Sequence, residues 1–272
     1  MINVVAVDLD GTLLRSDHTV SARTVAALAR VAQAGARIVI GTARPPREVH
    51  EVAAAAGITG VAVCSNGAAV YDLATGEITI VGPLPLPLAE RVADVLTPAL
   101  DGIAFAVETG HRALTGPGFD HVSRRSIVRV PVRTRAELWT EAESCVKLLA
   151  WSPAPVTDEL LNRLQALVPE VAVTYSGGKG MLEISAATVS KADTLARLCA
   201  AWGVDAAQVI AFGDMPNDVP VLRWAGIGVA VANAHPQALA GADRVTASND
   251  EDGVAVVLEG LFPAGGGVVP AR

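Results

Sequence analysis

Aromatic side chains make up only 4% of this 272-residue chain, which argues against a stacking platform for single-stranded nucleic acid and leaves Ala, Val and Leu to build the core. Positive charge is also in deficit. There are 21 Lys and Arg against 28 Asp and Glu, a formal net charge of −7, whereas duplex binding depends on neutralising phosphates, so no nucleic-acid partner is expected. Cys64, Cys145 and Cys199 are odd in number and lack CxxC spacing, which argues against a disulfide framework and a zinc site and leaves buried thiols. No basic leader precedes Asp8, and no uninterrupted apolar span reaches membrane length. A soluble, cytoplasmic protein is the expectation. There is no internal repeat and no low-complexity segment beyond an Ala-rich bias. Gly265-Gly266-Gly267 reads as a flexible tail.

What the chain does have is 51% hydrophobic against 18% charged residues, the balance of a globular protein of one or two domains. The run at 3–7 is short, β-branched and nearly uncharged, as a parallel strand covered on both faces should be. A helix capped by Ser21 runs to about residue 34, Gly35 ends it, and an apolar strand follows at 37–40, completing a βαβ unit. Pro46 suits the first turn of a helix reaching about residue 56, a third strand lies at 61–64, and a hairpin spans 68–81. The closely spaced prolines of Gly82-Pro83-Leu84-Pro85-Leu86-Pro87 favour a stiff, extended connection and mark a boundary. Helices near 88–100, 135–143 and 157–168, with strands near 103–108, 145–151, 171–176 and 181–184, suggest a compact α+β insert. The doubly wound pattern resumes with a helix at 191–202, a strand at 209–212, a helix at 217–225 and a strand at 228–231. The expected division is a split α/β core at 1–82 and 188–272 with an inserted α+β unit at 83–187.

Asp8-Leu9-Asp10-Gly11-Thr12 puts two carboxylates at the end of the first strand, where open α/β sheets bind ligands. Period-two alternation would point both the same way, and such a pair resists joint ionisation unless a cation or shared proton joins it. Magnesium, a hard oxygen-seeking ion, is the natural candidate. Read alone, the motif is also an ordinary strand-ending turn. Three further segments lie where strands end or helices begin. Thr42, in Gly41-Thr42-Ala43-Arg44, offers a hydroxyl beside backbone donors for a phosphate oxygen, or a helix cap. Lys191 opens a helix, where the dipole gives a cation no advantage, so it neutralises phosphate or is a solvated surface lysine. In Gly213-Asp214-Met215-Pro216-Asn217-Asp218, Asp214 could ligate a metal, Asp218 could hold it through water or orient Asp214, and Asn217 could donate to phosphate or cap the next helix.

With these residues in their order, the chain resembles the haloacid dehalogenase superfamily of phosphotransferases, specifically its Cof-type branch, class IIB. The resemblance rests on the Asp8 to Thr12 motif, Thr42, Lys191, Asp214 with Asn217 and Asp218, and an insert of over about a hundred residues between Thr42 and Lys191. It implies a Rossmann-like core with a C2B-type cap, and hydrolysis of small phosphorylated metabolites through an aspartyl-phosphate. Asp8 would attack phosphorus. Asp10 would protonate the leaving oxygen and then activate water. Mg2+ would bind Asp8, Asp214 and the Asp10 main-chain carbonyl, with Asp218 supporting it. Thr42, Lys191 and Asn217, with backbone N–H groups near Leu9 and Ala43, would hold the phosphoryl oxygens. The family's glycine, valine, serine, lysine, glycine run is here Thr188-Val189-Ser190-Lys191-Ala192, without either glycine. Asn66-Gly67-Ala68 and Asn233-Ala234 also match the branch and read as mainly structural.

Two other functions share these residues: a phosphosugar mutase of the phosphomannomutase kind, and a phosphoryl-accepting regulator without turnover. The presence of Asp10 speaks against the latter, since a pure acceptor needs no acid and base beside it. Specificity is assigned to the insert, where Gly177-Gly178-Lys179-Gly180 offers one cation on a flexible loop, or a plain hairpin turn, and His111 and Arg112 are weaker candidates.

Overall fold

A computed structural model describes residues 1–119, 129–175 and 180–263. The tail glycines 265–267, and all of the Gly177-Gly178-Lys179-Gly180 loop except Gly180, lie outside them. The first part of the chain forms β1 (Val4–Val7), α1 (Ala22–Gln33), β2 (Arg37–Gly41), α2 (His50–Ala55), β3 (Val61–Cys64), β4 (Ala69–Asp72) and β5 (Ile78–Ile80). The middle contains α3 (Leu86–Leu96), β6 (Ala104–Glu108), β7 (Ala113–Thr115), β8 (Arg129–Pro131), α4 (Arg135–Thr140), β9 (Lys147–Trp151), α5 (Asp158–Leu167), β10 (Val171–Thr174) and β11 (Met181–Ala186). The last part supplies α6 (Lys191–Ala201), β12 (Val209–Gly213), α7 (Val219–Trp224), β13 (Ile227–Ala230), α8 (Pro236–Gly241), β14 (Arg244–Val245) and α9 (Gly253–Leu261).

The strands form two sheets. An eight-stranded sheet runs β14-β13-β12-β1-β2-β3-β4-β5, parallel from β14 to β3 and antiparallel through β4 and β5. All four residues of β1 are buried because both faces are covered. Val5 and Val7 face Leu28 of α1 and Leu258 of α9, whereas Val4 and Ala6 face Leu195 of α6 and Leu222 of α7. Each fully buried Val or Leu contributes about 1.5–3 kcal/mol relative to exposure. In α1 the buried residues are Thr24, Ala27, Leu28 and Val31, the spacing of one helical face.

Because β1 neighbours both β2 and β12, successive crossovers leave it in opposite directions. Such a reversal opens a crevice at the carboxyl ends of the strands. The second sheet, β10-β11-β9-β6-β7-β8, packs one face under α3, α4 and α5 through Val92, Leu138 and Leu164. Its other face meets the first sheet's crevice. The two connecting segments run side by side, so close that a Cβ on Gly82 would collide with Val189.

Several local expectations give way to geometry. β1 ends at Val7, so strand alternation does not govern Asp8 and Asp10. The proline-rich segment is already helical from Leu86, because Pro87 falls in the first turn, where its missing N–H breaks no bond. Pro220 likewise lies in the first turn of α7, which starts at Val219 after a 3-10 turn at Pro216–Asp218. Asn217 therefore sits inside that turn and caps no helix. Strands β7 and β8 and the elements after β13 carried no periodicity strong enough to predict. Cys64, Cys145 and Cys199 are buried free thiols. Among the described residues, no helix is long and apolar enough to cross a membrane.

Candidate active site

The turn after β1 presents Asp8 at the crevice. Gly11 makes the turn possible: its φ is +82°, and a Cβ there would collide with Asp214. Asn233 steadies the turn by donating to the Gly11 carbonyl at 2.8 Å. The neighbouring strand β12 delivers Asp214 to the same place. Thr12 Oγ1 donates to Asp214 Oδ1 at 2.8 Å, so the two motif segments are directly joined.

Lys191 opens α6, whose N-cap is Ser190. Its Nζ donates to Asp8 Oδ1 at 2.6 Å and to Asp218 Oδ1 at 2.7 Å. Its side chain is only 4% exposed, which rules out the solvated surface lysine. Asp218 is saturated differently, its Oδ2 accepting from the backbone N–H groups of Asp214 and Met215 at 3.1 and 3.0 Å. It therefore fastens the Asp214 loop to the lysine. Carboxylate oxygens of Asp8, Asp214 and Asp218 lie within 4.8 Å of one another.

Electrostatics make this cluster one that calls for a cation. Burial, then the charges of Asp218 and Asp214, push Asp8 well above the usual carboxylate range, with Lys191 opposing them. Burial and Asp218 push Asp214 up to about 7. Burial works against the charge of Lys191, but Asp218 and Asp8 more than offset it and hold the ammonium charged. Three carboxylates against one ammonium leave a formal charge of −2 when all are ionised. A divalent, oxygen-seeking ion is the complement of such a set, and the buried triad can hold one.

The remaining candidates surround this centre. Thr42 is buried, and its Oγ1 accepts from Arg44 N at 3.1 Å; the contact is a local turn and no helix cap, and the hydroxyl hydrogen remains to donate. Asp8 is held by Lys191, whereas Asp10 is held by Arg44. Its two oxygens accept from Arg44 Nε and Nη2 at 2.7 and 2.6 Å, a bidentate pair that fixes the carboxylate. Leu9 is fully buried beside Asp8, and the carbonyl of Ala43 accepts from Lys147 Nζ at 2.8 Å. Asn217 is drawn aside: its Nδ2 donates to Asn66 Oδ1 at 3.0 Å. His111 is exposed and Arg112 pairs with Glu143. A cleft of about 330 Å3 lined by Arg37, Gly60 and Trp202 opens at the other ends of the strands, away from these carboxylates.

Sequence reasoning missed Arg44, Thr12 and the second sheet's Glu108, Lys147 and Glu183. The first two lie inside quoted motifs. The last three had a signal of their own, a lone charge within an apolar strand, as in Ala104–Glu108, Lys147–Trp151 and Met181–Ala186.

The family model for haloacid dehalogenase-like hydrolases matches residues 5–258. The chain belongs to this family. A putative phosphatase of Haemophilus influenzae is 28% identical over 263 residues, covering 97% of this chain and 99% of the relative. A 5-amino-6-(5-phospho-D-ribitylamino)uracil phosphatase of Bacillus subtilis is 28% identical over 271 residues, covering 95% and 97%. The fold is that of the haloacid dehalogenase subclass IIB sugar phosphatase BT4131, with a TM-score of 0.77 at 22% identity over 95% of this hydrolase and 98% of the other chain. The Rossmann-like parallel core is thus the family's own.

Proposed function

We propose that this hydrolase is a magnesium-dependent phosphatase of small phosphorylated metabolites, sugar phosphates or related monoesters, working through an aspartyl-phosphate on Asp8. The observation that carries this reading is the convergence of Asp8, Lys191, Asp218 and Asp214 at the carboxyl ends of the adjacent strands β1 and β12. Residues 83–187 are the cap over a core made of 1–82 and 188–272.

An Asp8 carboxylate oxygen attacks phosphorus, and the bond from phosphorus to the leaving oxygen breaks. Asp10 gives that oxygen its proton, exchanging one Arg44 contact for it, and then takes a proton from the water that cleaves the acyl phosphate. Lys191 and the Thr42 hydroxyl hold phosphoryl oxygens as charge redistributes. Asp8, Asp214 and the Asp10 carbonyl would hold magnesium, whose positive charge offsets repulsion between the nucleophile and the phosphate dianion. Asp218 keeps Asp214 and Lys191 in place. Asn217 would exchange its bond to Asn66 for one to a phosphate oxygen.

Assaying phosphate release from para-nitrophenyl phosphate and a panel of sugar, polyol and cofactor phosphates tests this reading. Release with magnesium and none with chelator is expected. Equal release in chelator, or none from any ester, contradicts it.

A further inference from the structure

On the face of the second sheet that meets the core, Glu108 of β6, Lys147 of β9 and Glu183 of β11 form a row across adjacent strands. All three are at most 6% exposed. Their charges are balanced, because Arg47 forms a bidentate pair with Glu108 at 2.6 and 2.7 Å and Lys147 Nζ lies 3.1 Å from Glu183, which also accepts from Asn66 Nδ2 at 2.7 Å. Well-packed apolar residues usually serve stability as well as such buried pairs do. The ammonium of Lys147 has a second contact that an ion pair alone does not require. It donates to the carbonyl oxygen of Ala43, in the core, at 2.8 Å.

That carbonyl belongs to the same peptide unit as the Arg44 N–H, which donates to Thr42 Oγ1 at 3.1 Å. A trans peptide is planar, with its C=O and N–H pointing in opposite directions, so a donor that fixes the oxygen also fixes the direction of the N–H. Lys147 stands at one end of this chain and the Thr42 hydroxyl at the other. The peptides on either side are held from within the core: Thr42 N–H donates to the Val63 carbonyl at 2.8 Å, and the carbonyls of Thr42 and Arg44 accept from Asn66 N and Ser65 N at 3.1 and 2.9 Å. The peptide between them is held from the other sheet. With an acceptor site of its oxygen engaged by Arg44 N, the Thr42 hydroxyl keeps one hydrogen, which a phosphoryl oxygen can accept. Positive charge at the carbonyl end polarises the peptide and strengthens each donor along the chain.

We propose that Lys147 is a positioning residue for the phosphate site, orienting the Thr42 hydroxyl through the Ala43–Arg44 peptide, so that Thr42 donates at full strength only while the second sheet is seated on the core. The proposal rests on the phosphatase reading, in which Thr42 holds a phosphoryl oxygen. Lifting the sheet takes the ammonium away from Ala43 and frees the peptide to turn. Seating it restores the donor. The contact acts on the phosphoryl group, which every ester shares, and not on the leaving group.

Steady-state kinetics on the best ester of the panel and calorimetric titration with inorganic phosphate, both with magnesium, test this in wild type, Lys147→Met, Thr42→Val and the double variant. Lys147→Met lowers kcat/KM at least about tenfold and weakens phosphate binding at least about threefold, whereas in the Thr42→Val background the same change costs less than about threefold in kcat/KM. Equal losses in the two backgrounds are what a merely structural role would give, and they overturn the proposal. So does a Lys147→Met variant with wild-type kinetics. If Lys147→Met does not fold, Lys147→Met/Glu183→Gln removes both charges together, keeps an acceptor for Asn66 and takes its place in the cycle. A wild type that hydrolyses no ester of the panel overturns the phosphatase reading, and this proposal with it.

Discussion

Lys191 Nζ lies 2.6 Å from Asp8 Oδ1 although 183 positions separate the two residues. The same ammonium holds Asp218 at 2.7 Å, so one buried cation ties the end of β1 to the loop after β12. Removing it would leave two buried carboxylates uncompensated. Lys191→Met is therefore expected to cost about 3–5 kcal/mol of stability at neutral pH, read as a lower urea midpoint with an unchanged slope. An unchanged midpoint would show that the pair contributes nothing to the fold.

The acidic cluster predicts an unusual pH response. Burial and Asp218 raise Asp214 from 3.8 to about 7, so the folded protein keeps this proton over a range where the unfolded chain has lost it. The stability contribution is fully present below about pH 4 and is lost as pH rises through about 7. In chelator, the unfolding temperature should fall between about pH 5 and pH 8, and magnesium should raise it more at the higher pH, where Asp214 no longer has to lose a proton to bind it. Thermal scans at both pH values with and without magnesium check this. Equal magnesium shifts would contradict it.

Gly67 predicts a coupling between a distant turn and the lysine. Its φ is +107°, and an added Cβ would collide with the Ser190 carbonyl and approach Lys191 N to 3.0 Å. Thr194 also donates to the Gly67 carbonyl at 2.7 Å, so turn and helix cannot separate freely. Gly67→Ala should destabilise by at least about 2 kcal/mol and lower kcat by displacing Lys191. Denaturant unfolding and steady-state kinetics on the same sample would measure both, and a stable variant with full kcat would refute the coupling.

The centre of the site was legible in the sequence because each part ends or begins a strongly marked element. Asp8 follows an apolar run, Asp214 follows another, and Lys191 opens a capped helix. Their convergence follows from the parallel pairing of β1 with β12, which the order of elements along the chain leaves open. The Asp10 partner is not legible, because the strand stops at Val7, short of both carboxylates, and Arg44 is reached only through a turn. The row of Glu108, Lys147 and Glu183 was hidden for another reason: its members are far apart in the chain, and only the antiparallel order of β6, β9 and β11 brings them together. Asn217 read as a cap because Pro220 sets the start of α7 two residues later than its composition suggests.

If Asp8 is the nucleophile, its carboxylate is the one group the reaction cannot do without. Asp8→Asn keeps the shape and the hydrogen-bonding capacity beside Lys191 but removes the attacking carboxylate. With saturating magnesium and the best ester of the panel, kcat should fall at least about a thousandfold. Full activity in this variant would contradict the account.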